Sequence, residues 1–149
     1  MTGEDRKPIA VANTAFAERT GQISPDARFV AYDTDESGQL QVVVQTFPTP
    51  TGKWQVSSGG GIYPRWRPDG KELYFVAPDG KMMAALVHAS AASFEAETPR
   101  PLFQTRMNAT VNKHQYTVSA DGRFLINQQV QESSATPITL ILNWKPAAR

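Results

Sequence analysis

The chain has 149 residues, of which 40% are hydrophobic and 19% charged, and its formal net charge is +1. That balance excludes a disordered or fibrous chain, and with no basic run longer than two residues nucleic acid is not the expected partner. The absence of cysteine removes disulfides, thiolate catalysis and cysteine-ligated zinc together.

In chain order the pattern is one of short β-rich runs punctuated by Gly, Pro, Asp and Ser, with no sustained apolar stripe of helical period. Residues 1–7 carry no apolar core of a signal peptide, so none is expected. Pro8–Ala12 reads as an orphan strand. A first unit follows, with strands near Gly21–Ser24, Phe29–Asp33, Leu40–Phe47 and Trp54–Ser57. The second has strands near Tyr63–Arg67, Leu73–Ala77, Met82–His88 and Pro101–Gln104; the one helical candidate, Ala84–Phe94, reads better as a strand running into a small-residue loop. The third has strands near Gln115–Ser119, Phe124–Gln128 and Ile138–Asn143. The apolar run Ile138–Leu142 is far too short to span a bilayer, and no membrane insertion is expected.

A short phrase recurs at the same place in each unit: Ser24-Pro25-Asp26-Ala27-Arg28-Phe29, Arg67-Pro68-Asp69-Gly70-Lys71-Glu72, and Ser119-Ala120-Asp121-Gly122-Arg123-Phe124. The Asp residues lie 43 and then 52 residues apart, close to the roughly 40–45 residues of a four-stranded propeller blade. The predicted fold is therefore an all-β propeller of about three blades. The orphan strand falls in 1–13, blade one in 14–58, blade two in 59–106 and blade three in 107–149. Blade three is one strand short, which the orphan would complete. Three blades do not close a ring, since propellers typically use four to eight. Two copies would make a six-bladed homodimer in which each orphan strand finishes the other chain's last blade; the plainer alternative is a piece of a longer polypeptide.

The turns with their following apolar runs, Phe29-Val30-Ala31-Tyr32 and Leu73-Tyr74-Phe75, together with Pro64-Arg65-Trp66-Arg67-Pro68-Asp69-Gly70-Lys71, resemble the WD40-like, PD40 class of propeller repeats of the TolB type. Phe47-Pro48, Gly52-Lys53-Trp54-Gln55-Val56-Ser57 and Gly59-Gly60-Gly61 are similar to a subgroup, the propellers attached to bacterial serine/threonine kinases and related sensors. The ending Thr136-Pro137-Ile138-Thr139 through Leu142-Asn143-Trp144 is similar to the C-terminus of such chains. The resemblance spans about residues 20–145 and implies a protein- or peptide-binding module and a periplasmic or other extracytoplasmic setting. It departs from the pattern at Ala27, where Gly is expected, and at Ala120, where Pro is. No Gly-rich phosphate loop, His-Arg-Asp or Asp-Phe-Gly motif accompanies it, so kinase activity is excluded.

Most candidate motifs have a structural explanation. The Asp-Gly turns supply local hydrogen bonds and a tolerated positive φ. Asp33-Thr34-Asp35-Glu36-Ser37-Gly38 has the oxygen spacing of a calcium loop, but Val44 stands where the bidentate Glu belongs. It is read as a hairpin, and no metal or other cofactor is expected. Gly59-Gly60-Gly61 precedes a strand and so is no phosphate cradle. Trp54, Trp66, Phe75, Phe103 and Trp144 are expected between blades, and His88 on the surface. What remains is the channel. Aligning the units on Asp26, Asp69 and Asp121 stacks Gln22, Arg65 and Thr117; then Thr20, Tyr63 and Gln115; then Arg19, Ile62 and His114. The resulting candidate binding residues are Arg19, Gln22, Tyr63, Arg65, His114 and Gln115, a partly cationic mouth suited to an acidic peptide or small anion. No catalytic residue is assigned, and no G-x-S-x-G elbow is present. The competing reading is a small esterase-like hydrolase at the ring centre with His114 as base.

Overall fold

A computed structural model describes residues 8–90, 93–107 and 113–127. Among them the chain is all-β, without a helix, arranged as antiparallel sheets of four, five and two strands. Sheet one runs β1 (Glu18–Ile23), β2 (Phe29–Thr34), β3 (Gln41–Thr46) and β4 (Lys53–Gln55), in sequential order. Sheet two runs β5 (Ile62–Trp66), β6 (Glu72–Val76) and β7 (Lys81–Ala89). Its outer edge is shared by two strands, because β8 (Phe94–Ala96) pairs with the end of β7 and β9 (Arg100–Gln104) with its beginning. Sheet three is the pair β10 (Tyr116–Val118) and β11 (Phe124–Ile126). The expected strand Ile138–Asn143 and Trp144 lie outside the described residues.

The turns explain the sequence phrase. Asp26, Asp69 and Asp79 each accept the amide of the residue two positions on, at 3.2, 3.0 and 3.1 Å, and the following small residue donates its amide back across the turn. Gly70, Gly80 and Gly122 all have positive φ there. Ala27 does too, at 58°, so the first turn keeps the left-handed backbone without the residue that adopts it at no cost. Pro78-Asp79-Gly80-Lys81, between β6 and β7, is a further copy of the turn that the repeat count leaves out.

The third turn differs in length. In the first two, Ser24 N–H donates to the Phe29 carbonyl and Arg67 N–H to that of Glu72; in the third, Ser119 N–H donates to Arg123, one residue sooner. Consequently Val118 pairs with Phe124 as Ile23 pairs with Val30 and Trp66 with Leu73. Aligning the units on Asp sets Phe124 beside Glu72, but the true counterpart is Leu73. A one-residue slip exchanges the two faces of a strand, so this correction decides which apolar residues look inward.

With the register set, the faces sort cleanly. Phe29, Ala31, Val42 and Val44 of sheet one meet Trp66, Leu73, Phe75, Ala85 and Val87 of sheet two in one core. Tyr74, Val76, Met82 and Ala84 on the opposite face of sheet two meet Tyr116, Val118, Phe124 and Ile126 of sheet three in another. Because sheet two is covered on both sides, β6 is buried at every position, and alternation gives way to an almost continuous apolar run. Phe94, in a segment read as loop, plugs the first core: its ring centroid lies 5.4 Å from both Phe29 and Trp54 and 6.3 Å from Trp66. Trp66 and Phe75 are buried as expected, Trp54 is half-buried, and Phe103 is more exposed than expected, though its ring meets Phe124 edge-on at 5.3 Å. The glycine run crosses from β4 to β5 through a tight gap. Gly61 N–H donates to the Leu40 carbonyl, and a Cβ on Gly60 would lie 2.6 Å from the Pro78 ring.

Within the single chain Pro8–Ala12 forms no strand. Val11 and Ala12 instead lie on the remaining face of sheet one, over Val30, Tyr32 and Val43, and Gln45 Nε2 donates to the Val11 carbonyl at 2.7 Å.

Candidate functional site

The innermost strands β1 and β5 share an irregularity. The register of β1 against β2 shifts between Arg19 and Gln22, and that of β5 against β6 shifts between Ile62 and Arg65. Inside each bulge one non-glycine residue takes a positive φ: Thr20 at 50° and Tyr63 at 58°. These are equivalent positions in the repeat. A non-glycine left-handed residue costs on the order of 1–3 kcal/mol and persists only where its surroundings over-determine it. Bulges also re-aim side chains. Both units therefore use the same strained device at one end of the sheets.

In the first unit the device serves Asp33. This carboxylate at the end of β2 is fully buried. Arg19 Nε donates to its Oδ2 at 2.9 Å, while Nη2 approaches the same oxygen at 2.8 Å off the hydrogen-bonding direction, so the attraction there is mainly coulombic. The Thr20 hydroxyl donates to Oδ1. A buried charge is tolerated when it is paired and hydrogen-bonded like this. Sequence reasoning placed Asp33 at the head of a possible calcium loop. The donors of that loop instead diverge: Asp33 turns to Arg19, Asp35 accepts the Ala17 amide at 2.9 Å, and Glu36 pairs with Lys53. Among the described residues no group of three metal-ligating side chains occurs. The signal available in the sequence was the strand itself, since a carboxylate closing a fully buried strand needs a cation.

Around this pair the structure gathers several predicted residues. Burial raises the Tyr63 phenol's pKa, Arg19 pulls it down and Asp33 pushes it up, so all three share one electrostatic neighbourhood. His114 joins them: desolvation lowers its pKa most, Arg65 lowers it further, and Asp33 opposes both. Arg65 is half-buried, burial disfavours its charge, and its Nε donates to the Tyr116 carbonyl at 3.3 Å. Tyr116 in turn donates its hydroxyl to the Tyr63 carbonyl at 2.9 Å. Burial drives the Tyr116 pKa well above the ordinary phenol range.

Two predicted residues are committed elsewhere. Gln22 ties β1 to β5, its side-chain oxygen accepting the Trp66 amide at 2.8 Å and its carbonyl accepting the Trp66 indole at 3.1 Å. Gln115 is buried, donating to the Lys113 carbonyl at 3.3 Å and accepting the Asn127 amide through its own carbonyl. Arg19, Tyr63, Arg65 and His114 thus come together with Asp33 and Thr20, while Gln22 and Gln115 act as framework. His88 is exposed, with Nε2 2.8 Å from Glu97 Oε1, apart from this cluster.

The described cluster holds two guanidinium groups, an imidazole and one carboxylate. Asp33 offsets one guanidinium, and the second is answered by a main-chain carbonyl rather than a carboxylate. Three of the described serine hydroxyls serve local structure: Ser24 holds Asp26 and the Phe29 amide, Ser57 holds Gln41 and the Val42 amide, and Ser119 holds the Asp121–Arg123 turn. No family model and no curated protein matches the chain.

Proposed function

We propose that the chain is three blades of a β-propeller of the PD40, TolB-like kind, a non-catalytic module that binds an acidic segment of a protein or peptide at the channel mouth, with two copies closing a six-bladed ring. The face-to-face stacking of the three antiparallel sheets, the first two begun by like-bulged inner strands, supports the fold reading. The observation that carries the binding reading is Arg65: a half-buried guanidinium in the electrostatic reach of His114 whose acceptor among the described residues is a carbonyl. A carboxylate placed there would pair with a guanidinium already partly desolvated, and hydrogen bonds to charged groups are the strong ones.

The test uses fluorescein-labelled hexaglutamate and fluorescence anisotropy. Binding is expected to weaken at least tenfold in Arg65→Ala, about 1.4 kcal/mol, and to weaken with added salt because the attraction is screened. Binding indifferent to Arg65, or no binding at all, would refute the reading. Hydrolysis of p-nitrophenyl acetate that collapses in His114→Ala would favour the hydrolase instead.

A further inference from the structure

The two ends of the sheet stack are unlike, and the corrected register shows how they are related. On sheet one, Val30 and Tyr32 occupy the positions of Leu73 and Phe75 on sheet two, the residues by which sheet two packs on its predecessor. Sheet one therefore offers the face of a unit that follows another. On sheet three, Leu125 occupies the position of Tyr74 and Ala31, the residues that receive the next sheet; Leu125 is 74% exposed. Within the stack Tyr74 meets Phe124 edge-on with centroids 4.9 Å apart, and Phe124 is the counterpart of Val30. The same step carried once more sets Leu125 of one copy against Val30 of another.

That face of sheet one is not bare. Val11 and Ala12 lie on it, anchored by Gln45, and between them and the inner strand runs a groove of about 420 Å³ floored by Val30 and Tyr32 and bordered by Ile23 and Arg19. Ile23, the counterpart of Trp66, stands 47% exposed at its margin. Where sheet two has a neighbouring sheet, sheet one has Val11 and Ala12, held among the described residues by the Gln45 bond.

We infer that residues 8–12 are a strap over the docking face for a second copy of this chain, and that the Leu125 face of that copy displaces them. The inference rests on the ring-closing reading above and sharpens it: the strap competes with assembly rather than completing the partner's last sheet. The cost of lifting it is the Gln45 bond and the cover on Val30, Tyr32 and Val43, which the incoming sheet replaces.

Light-scattering chromatography of the full chain over a concentration series tests this, alongside Gln45→Ala, a chain lacking residues 1–12, and Leu125→Asp. Both strap variants are expected to tighten dimerisation at least tenfold, and Leu125→Asp to abolish it. The chain has no cysteine, so oxidative mixing of separate Ile23→Cys and Leu125→Cys chains adds a direct readout, a mixed disulfide. Dimers that weaken when the strap is removed would mean it completes the partner, which overturns the inference while leaving the ring intact. Absence of dimer in every variant would remove both readings.

Discussion

Phe94→Ala is the sharpest test of the stacking. Phe94 is 4% exposed and meets Phe29, Trp54 and Trp66, rings contributed by β2, β4 and β5. An aromatic side chain buries roughly 150–250 Å², and at about 25 cal/mol per Å² the lower figure is worth about 4 kcal/mol. The ring contacts add of the order of 0.5–1.5 kcal/mol each, while partial burial in the unfolded chain subtracts. A loss of about 3–5 kcal/mol follows, in line with Phe→Ala substitutions in other cores. For a chain of this length that is roughly 8–15 °C in Tm and a large fraction of total stability, about 5–15 kcal/mol. The assay is urea unfolding followed by tryptophan fluorescence, with Phe103→Ala as the control. Phe103 is 39% exposed, so its loss should cost less than half as much. If Phe94→Ala costs under about 1 kcal/mol, β8 is not a plug between sheets and the account of the first core is wrong.

Three further outcomes are expected. Ala27→Gly should stabilise by about 0.5–1 kcal/mol, because relief of a left-handed alanine outweighs the added freedom of the unfolded chain; a destabilised variant in urea melts would contradict the turn geometry. All four tyrosines have pKa values pushed up, chiefly by burial, and Tyr74, bonded to Glu72 at 2.7 Å, reaches about 12. Folding therefore favours the neutral phenol: Tyr74's contribution is complete below pH 10 and is lost as pH rises toward 12. Absorbance at 295 nm should show little tyrosinate at pH 10 in the native protein, and ready ionisation there would refute it. Asp33→Asn should lower the His114 pKa and Arg65→Ala should raise it, read by NMR titration of the imidazole; shifts in the opposite sense would dissolve the cluster.

Strand positions were legible because the turn chemistry is repeated and local. Asp26, Asp69 and Asp121 mark hairpins whatever the rest of the chain does. That Arg19, Tyr63 and Arg65 lie at one end of the stacked sheets was legible for the same reason: equivalent positions in stacked units lie side by side. Three things were not. The missing residue after Arg123 leaves every recognisable turn residue in place, so only the ladder reveals the slip. The short strand β8 follows small residues that give no periodic signal, and Phe94's packing depends on rings from three other strands. Asp33's role hinges on Arg19 across a bulge, a pairing that no spacing rule encodes. Gln22 has the position of a channel residue, and no spacing rule shows that Trp66 donates to both its side-chain and main-chain oxygens.

The shortened third turn bears on how such units can be recombined. A sheet here can be cut and rejoined only where turn and following strand travel together. The six-residue turn of the second unit, grafted whole between Val118 and Phe124, keeps that pair and the faces of β11, whereas a strand exchanged by counting from Asp sets Phe124 in the place of Glu72 and Leu125 in that of Leu73, one residue out of register. Strand exchanges counted from Asp are thus in register between the first and second units and one residue out between either and the third. Any chimaera or duplicated array built from this chain inherits that asymmetry, and its safe joints lie in the loops between sheets.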